Sequence, residues 1–123
     1  MDFKTYQKKA RETAQYPNLG SNNIYPTLGL VGEAGEVAEK VKKVIRDKGN
    51  LNQAELVKEL GDVLFYVAAL ANHIDSDLET VAVNNLAKLH DRKKRNKLQG
   101  SGDNRWMIFW KILLKLQAMN MPI

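Results

Sequence analysis

Hydrophobic positions recur every three or four residues through most of this chain, and no run alternates apolar with polar residues as a half-buried strand does. That period predicts helices. The first runs from Asp2, a good N-cap, to about Tyr16. PNLGSNN (17–23) follows as a loop of turn-forming residues. A second helix is expected from Pro26, a residue favoured at the first helical position, to Lys48 and Gly49. A third begins after Asn50 and ends around His73, and Asp75 or Ser76 caps a fourth that reaches about Lys94. The expected fold is all-α: a bundle of about four core helices plus a C-terminal helix, assembled as an oligomer.

The remainder divides in two. RKKRNKLQGSGDNR (92–105) is basic and glycine-containing, and reads as a segment ordered by a ligand or a partner. In the tail, 106–123, Trp106, Phe109, Trp110 and Leu113 have helical spacing. It is too short to span a bilayer, contains Lys111 and Lys115, and reads as an amphipathic extension packed on the core or on another subunit. A membrane-surface helix is the rival reading of that tail. The expected division is thus 1–105 and 106–123.

Glycines and acids break the helical pattern in an informative way. GLVGEAGEVAEKV (29–41) carries Gly29, Gly32 and Gly35 inside a predicted helix, where each costs about 1 kcal/mol relative to Ala. On a wheel of about 100° per residue, Leu30, Ala34, Val37, Val41 and Val44 form the apolar stripe, with Glu33 and Glu36 roughly 60° and 120° to one side. On the third helix Leu56, Leu60, Val63, Val67 and Leu70 form the stripe, and Glu59 and Asp62 fall at the same two offsets. EAGE (33–36) and ELGD (59–62) are therefore one pattern at one phase. Acids three apart are ordinarily solvated, and Glu36 with Lys40 makes a standard surface pair. Two such pairs in register, each with a glycine, favour a site instead.

Four carboxylates gathered at a helix junction repel one another unless a cation balances them. All-oxygen ligation suits Mg²⁺, with Mn²⁺ as a substitute. Gly35 and Gly61, at equal phase beside the acids, are expected to leave room for a ligand. On the fourth helix Leu78, Val81, Ala82 and Leu89 define a stripe with Asn85 in its middle, so a partner for that amide is expected, in the core or in a ligand. Lys88 and Arg92 lie on the same side and suit phosphate oxygens. Tyr66 follows Asp62 by one turn, where its hydroxyl reaches a ligand sugar or its ring packs. His73 and His90 show no ligand spacing.

These motifs, ExxE at 33–36, ExxD at 59–62 and N-x-x-K-x-x-x-R at 85–92, resemble those of the MazG-like, all-alpha nucleoside triphosphate pyrophosphohydrolases, above all the short single-domain members of phages and bacteria. The likeness extends from about residue 3 to Arg105 and includes LGLVGEAGEVAE and GSGDNR. It implies Mg²⁺-dependent cleavage between the α and β phosphates of a nucleoside triphosphate, giving a monophosphate and pyrophosphate. By that likeness Glu33, Glu36, Glu59 and Asp62 bind metal, Asn85, Lys88 and Arg92 hold phosphate or sugar, and Arg105 closes over the phosphates. A homodimer or homotetramer is also implied. Glu36 is the expected general base, with Lys88 and Arg92 stabilising the leaving group.

Composition sets outer limits. A chain of 123 residues suits one domain, and the absence of cysteine excludes disulfides, thiolate catalysis and sulfur-based zinc sites. That fits a cytoplasmic protein, as does an N-terminus without the apolar core of a signal peptide. The net charge of +5 suits polyanionic partners without choosing among them. A di-iron bundle would need Glu-x-x-His pairs, which neither histidine supplies. A non-enzymatic nucleic-acid or nucleotide binder remains the alternative reading, weakened by the lack of a helix-turn-helix or aromatic platform. Phe3, Tyr6 and Tyr25 are the candidates for a wall against the base.

Overall fold

The computed structural model describes residues 1–16, 23–95 and 118. Four α-helices account for most of them: α1 (Phe3–Thr13), α2 (Ile24–Asp47), α3 (Gln53–His73) and α4 (Leu78–Lys94). No strand occurs among the described residues. The chain forms two compact units, Met1–Asn84 and Asn85–Ile123, with the boundary inside α4. The division expected after Arg105, and the tail itself apart from position 118, lie outside the described residues.

The ends of the helices follow from local chemistry. Asp2 caps α1 as expected, its Oδ1 accepting from Thr5 N at 2.7 Å. α1 then ends at Thr13, short of the Tyr16 expected from sequence. α2 begins at Ile24, two residues before Pro26, which sits buried in the first turn, where a missing N–H goes unmissed. At its far end Lys48 takes the left-handed conformation, with φ 53°, and Gly49 N returns a hydrogen bond to Val44 O. α3 begins after Asn50 as expected, with Asn52 as its cap, accepting from Glu55 N.

The cap of α4 is Asp77, whose Oδ1 accepts from Thr80 N at 2.7 Å, rather than Asp75 or Ser76. Both of those residues are used by the preceding helix end. Asp75 is left-handed with φ 52°, and Ser76 N bonds back to Ala71 O at 2.9 Å.

Within the first unit α3 is the central element, packing against α2 along their length and against α1, with Ala68 and Ala69 lining a cleft shared with Ala10 and Ala14. Gly29 lies against Tyr66, and Lys40 against Glu55 and Glu59, so α2 and α3 run antiparallel. The deepest residues of α3 are small, Ala68, Ala69 and Ala71, and they let α1 approach closely. Gln7 fixes that approach. Its Nε2 donates to Asn72 Oδ1 at 2.7 Å, and its Oε1 accepts from Leu78 N at 2.9 Å. One buried amide thus ties α1 to α3 and to the start of α4, with both of its polar ends satisfied.

The packed face of α2 differs from the expected stripe. Leu30, Val37 and Val44 are half-buried, but Ala34 and Val41 are exposed, and Glu33 and Lys40 are half-buried in their place. The face is turned by roughly 40° toward the acids. On α3, Leu60 is likewise exposed while Leu56, Val63, Val67 and Leu70 are half-buried. The cause is visible at Gly29, where a Cβ would collide with the ring of Tyr66. Bare backbone there lets the aromatic ring settle on α2 and brings the side of the helix that carries Gly29 and Glu33 inward.

Candidate metal centre

That rotation moves Glu33 from the rim of the stripe into the helix interface, opposite the acids of α3. Glu33, Glu59 and Asp62 each present a carboxylate oxygen, and these oxygens lie within 4.8 Å of one another. Glu33 and Glu59 are half-buried and Asp62 is exposed. Partial burial, and then the charges of Asp62, Glu59 and Glu36, hold the Glu33 carboxyl above its ordinary pKa. Three hard oxygen donors that destabilise one another when bare have the chemistry that a divalent cation relieves.

Glu36 is placed differently. It is exposed and outside the 4.8 Å group, although its charge still bears on Glu33. Three of the four acids singled out by spacing are therefore brought together. Gly35 and Gly61, expected to make room beside them, face open space, as does Gly32. No close approach demands glycine at any of those positions, in contrast to Gly29.

Tyrosines border the acids. Tyr66 packs its ring on Gly29, and its hydroxyl is pushed up in pKa by burial and then by Tyr25, Glu33, Asp62 and Tyr16. Burial, then the charge of Asp62, does the same to Tyr6. Tyr25 stacks on Tyr16 with ring centroids 5.0 Å apart and planes 8° from parallel. The Tyr16 hydroxyl meets His73 Nε2 at 2.8 Å. His73 thus anchors an aromatic stack, a role that its spacing in the chain did not signal. Phe3 is exposed.

Lys40 is a second residue that spacing alone placed elsewhere. It reaches across to α3, with Nζ 3.3 Å from Glu59 Oε1 and 3.6 Å from Glu55 Oε2, instead of pairing along its own helix with Glu36. Contact with Glu59 is the main cause holding its ammonium above the ordinary lysine pKa.

In the second unit Asn85, Lys88 and Arg92 share one face of α4. Asn85 is exposed, so of the two partners expected for its amide the core one does not apply, while Lys88 and Arg92 are half-buried. Two members of the stripe, Val81 at 40% and Leu89 at 38%, are themselves open to solvent, and only Leu78 at the start of the helix is buried, so the stripe is not a buried face along its length. Arg105 lies outside the described residues.

The family model of the MazG nucleotide pyrophosphohydrolase domain matches residues 25–96, the stretch that holds both acid motifs and the Asn/Lys/Arg face. The Gene 37 protein of Mycobacterium phage L5 is 51% identical over 114 residues, covering 85% of this chain and 100% of that protein. No solved structure matches the chain. With the motifs, the all-helical architecture and the domain match in agreement, the chain belongs to the MazG nucleotide pyrophosphohydrolase family.

Proposed function

We propose that this protein is a metal-dependent nucleoside triphosphate pyrophosphohydrolase, cleaving between the α and β phosphates to release a (d)NMP and pyrophosphate. The observation that carries the reading is the meeting of Glu33, Glu59 and Asp62 from two helices, with oxygens within 4.8 Å. An Mg²⁺ ion, or Mn²⁺ in its place, held by these three and joined by Glu36, would neutralise triphosphate charge and acidify water.

The chain's own residues divide the remaining work. Exposed Glu36 is free to turn and takes the proton of the attacking water. Lys88 and Arg92 supply cationic donors for the charge that grows on the departing pyrophosphate. Asn85 and Tyr66 orient the sugar and phosphate by hydrogen bonding, and Arg105 adds a further cation. The roles of Asn85, Lys88 and Arg92 rest on residue type and spacing along α4 together with family membership, that of Tyr66 on its place one turn after Asp62, and that of Arg105 on the motif likeness alone.

The working form is a homo-oligomer, dimer or tetramer. Ile24, Leu28 and Val31 on α2 are 66%, 66% and 67% exposed, and Val57 and Leu60 on α3 are 66% and 51% exposed. Apolar surface on that scale suits a second copy. No described helix is long and apolar enough to cross a membrane, and we assign the protein to the cytoplasm, where nucleoside triphosphates are found.

The test is a panel of ribo- and deoxyribonucleoside triphosphates with Mg²⁺, scored separately for pyrophosphate and orthophosphate. Pyrophosphate from at least one nucleotide is expected. Orthophosphate alone, with no pyrophosphatase present, would mean that a different bond is cut.

A further inference from the structure

Lys40 has no part in the roles assigned above, yet it touches a residue of the acid group. Its Nζ lies 3.3 Å from Glu59 Oε1 and 3.6 Å from Glu55 Oε2. Glu55 is gripped in turn from its other oxygen, Oε1, by Lys58 Nζ at 2.8 Å. Charges alternate from Lys58 through Glu55 and Lys40 to Glu59, where the series meets the carboxylates of Glu33 and Asp62.

We propose that Lys40 is a positioning residue for the metal centre, fixing the Glu59 carboxylate through one oxygen while Glu55 and Lys58 hold the ammonium in place. This deepens the functional reading above and rests on Glu33, Glu59 and Asp62 being ligands of a divalent ion.

Three features separate Lys40 from an ordinary surface pair. The Glu59 side chain is only 16% exposed and that of Lys40 33%, so their attraction is less screened than that of solvated charges. The contact crosses from α2 to α3, and so it locks the two helices that carry the acids. A glutamate side chain also has several freely rotating bonds, and a ligand that must be ordered before an ion can bind weakens the site. Holding Oε1 removes that freedom beforehand and leaves Oε2 to serve as the ligand. Carboxylate ligands in metal sites are commonly held by such outer partners.

The opposite possibility is that Lys40 is a mere counter-charge, which would repel an incoming divalent ion. The two differ in sign. Mn²⁺ binding to the full chain, without nucleotide, is measured by calorimetry and by the paramagnetic resonance of free Mn²⁺. Lys40→Met is expected to weaken binding by about 10-fold, within the range seen for outer-shell partners. Lys40→Arg, which keeps charge and reach, should restore most of it. Glu55→Gln should loosen binding less, and Lys40→Met with Glu55→Gln should be no worse than Lys40→Met alone, because Glu55 acts through Lys40.

Unchanged or tighter Mn²⁺ binding by Lys40→Met overturns the proposal. If that variant fails to fold by circular dichroism, Glu55→Gln decides: unchanged binding there overturns it as well. Glu59→Gln serves as the reference. If it binds Mn²⁺ like the parent protein, the ligand assignment itself is wrong; if it loses binding while Lys40→Met does not, only the positioning role fails.

Discussion

EAGE on α2 and ELGD on α3 have the same spacing, the same embedded glycine and the same phase, but they do not contribute alike. Both acids of the α3 motif enter the carboxylate group, whereas on α2 only Glu33 does and Glu36 points to solvent. The glycines of α2 divide in the same way. Gly29 lies under the ring of Tyr66, and Gly35, two turns on, borders open space. Spacing sets which residues can share a face; the depth at which a partner helix seats decides which of them meet. On α2 that seating is set at the Gly29 end, and it favours Glu33 over Glu36.

The largest effect expected of this contrast is between the acids. Glu59→Gln should abolish Mg²⁺-dependent pyrophosphate release while helical circular dichroism stays intact. It should also remove the rise in melting temperature that Mg²⁺ gives the parent protein, a rise that grows with the ratio of free ion to Kd. Glu36→Gln should lose turnover too, but keep much of the Mg²⁺-induced thermal shift, since Glu36 stands outside the group. Equal loss of that shift in both variants would show that Glu36 swings in to bind the ion as firmly as the others.

Next come the glycines. Gly29→Ala gains about 1 kcal/mol in helix propensity but forces the Tyr66 ring to move, an overpacking cost of about 1–3 kcal/mol. Net destabilisation by denaturant titration is expected. Gly35→Ala meets no neighbour and should stabilise by up to about 1 kcal/mol. If Gly35 leaves room for substrate, the same variant will show a raised KM despite its higher melting temperature.

Smaller still is the contribution of the cap that starts α3 after the turn from α2. Asn52→Ala removes the acceptor for Glu55 N and should cost about 1 kcal/mol in thermal or denaturant unfolding.

The least effect is one of pH, and it probes the start of α4, away from the acids. The hydrogen bond from Thr80 holds the Asp77 carboxyl below its ordinary pKa. A carboxyl lowered on folding contributes stability at pH above its unfolded value, and that contribution fades as pH falls through the folded one. Asp77→Asn keeps a capping acceptor that does not titrate. Its melting temperature should therefore fall less steeply than that of the parent protein below about pH 4. Parallel curves would mean that the cap carries no charge-dependent share.

By itself, the sequence determined the helical class, the number of main helices, most of their ends to within a few residues, and the family, because all of these depend on local periodicity, caps and motif spacing. It also marked Glu33, Glu59 and Asp62, since carboxylates at a repeated phase are visible without coordinates. Only tertiary packing decided that Glu36 stands apart, that Gly29 and not Gly35 is sterically required, and that Lys40 crosses to Glu59. The linking role of Gln7 and the bond of His73 to Tyr16 belong to the same class, their partners being 57 to 71 residues away. The reason is common to them all. A helical wheel assigns direction around one axis, whereas contact depends on how far a second helix is turned and how closely it approaches, and at α2 that was set by one missing Cβ beneath a tyrosine ring.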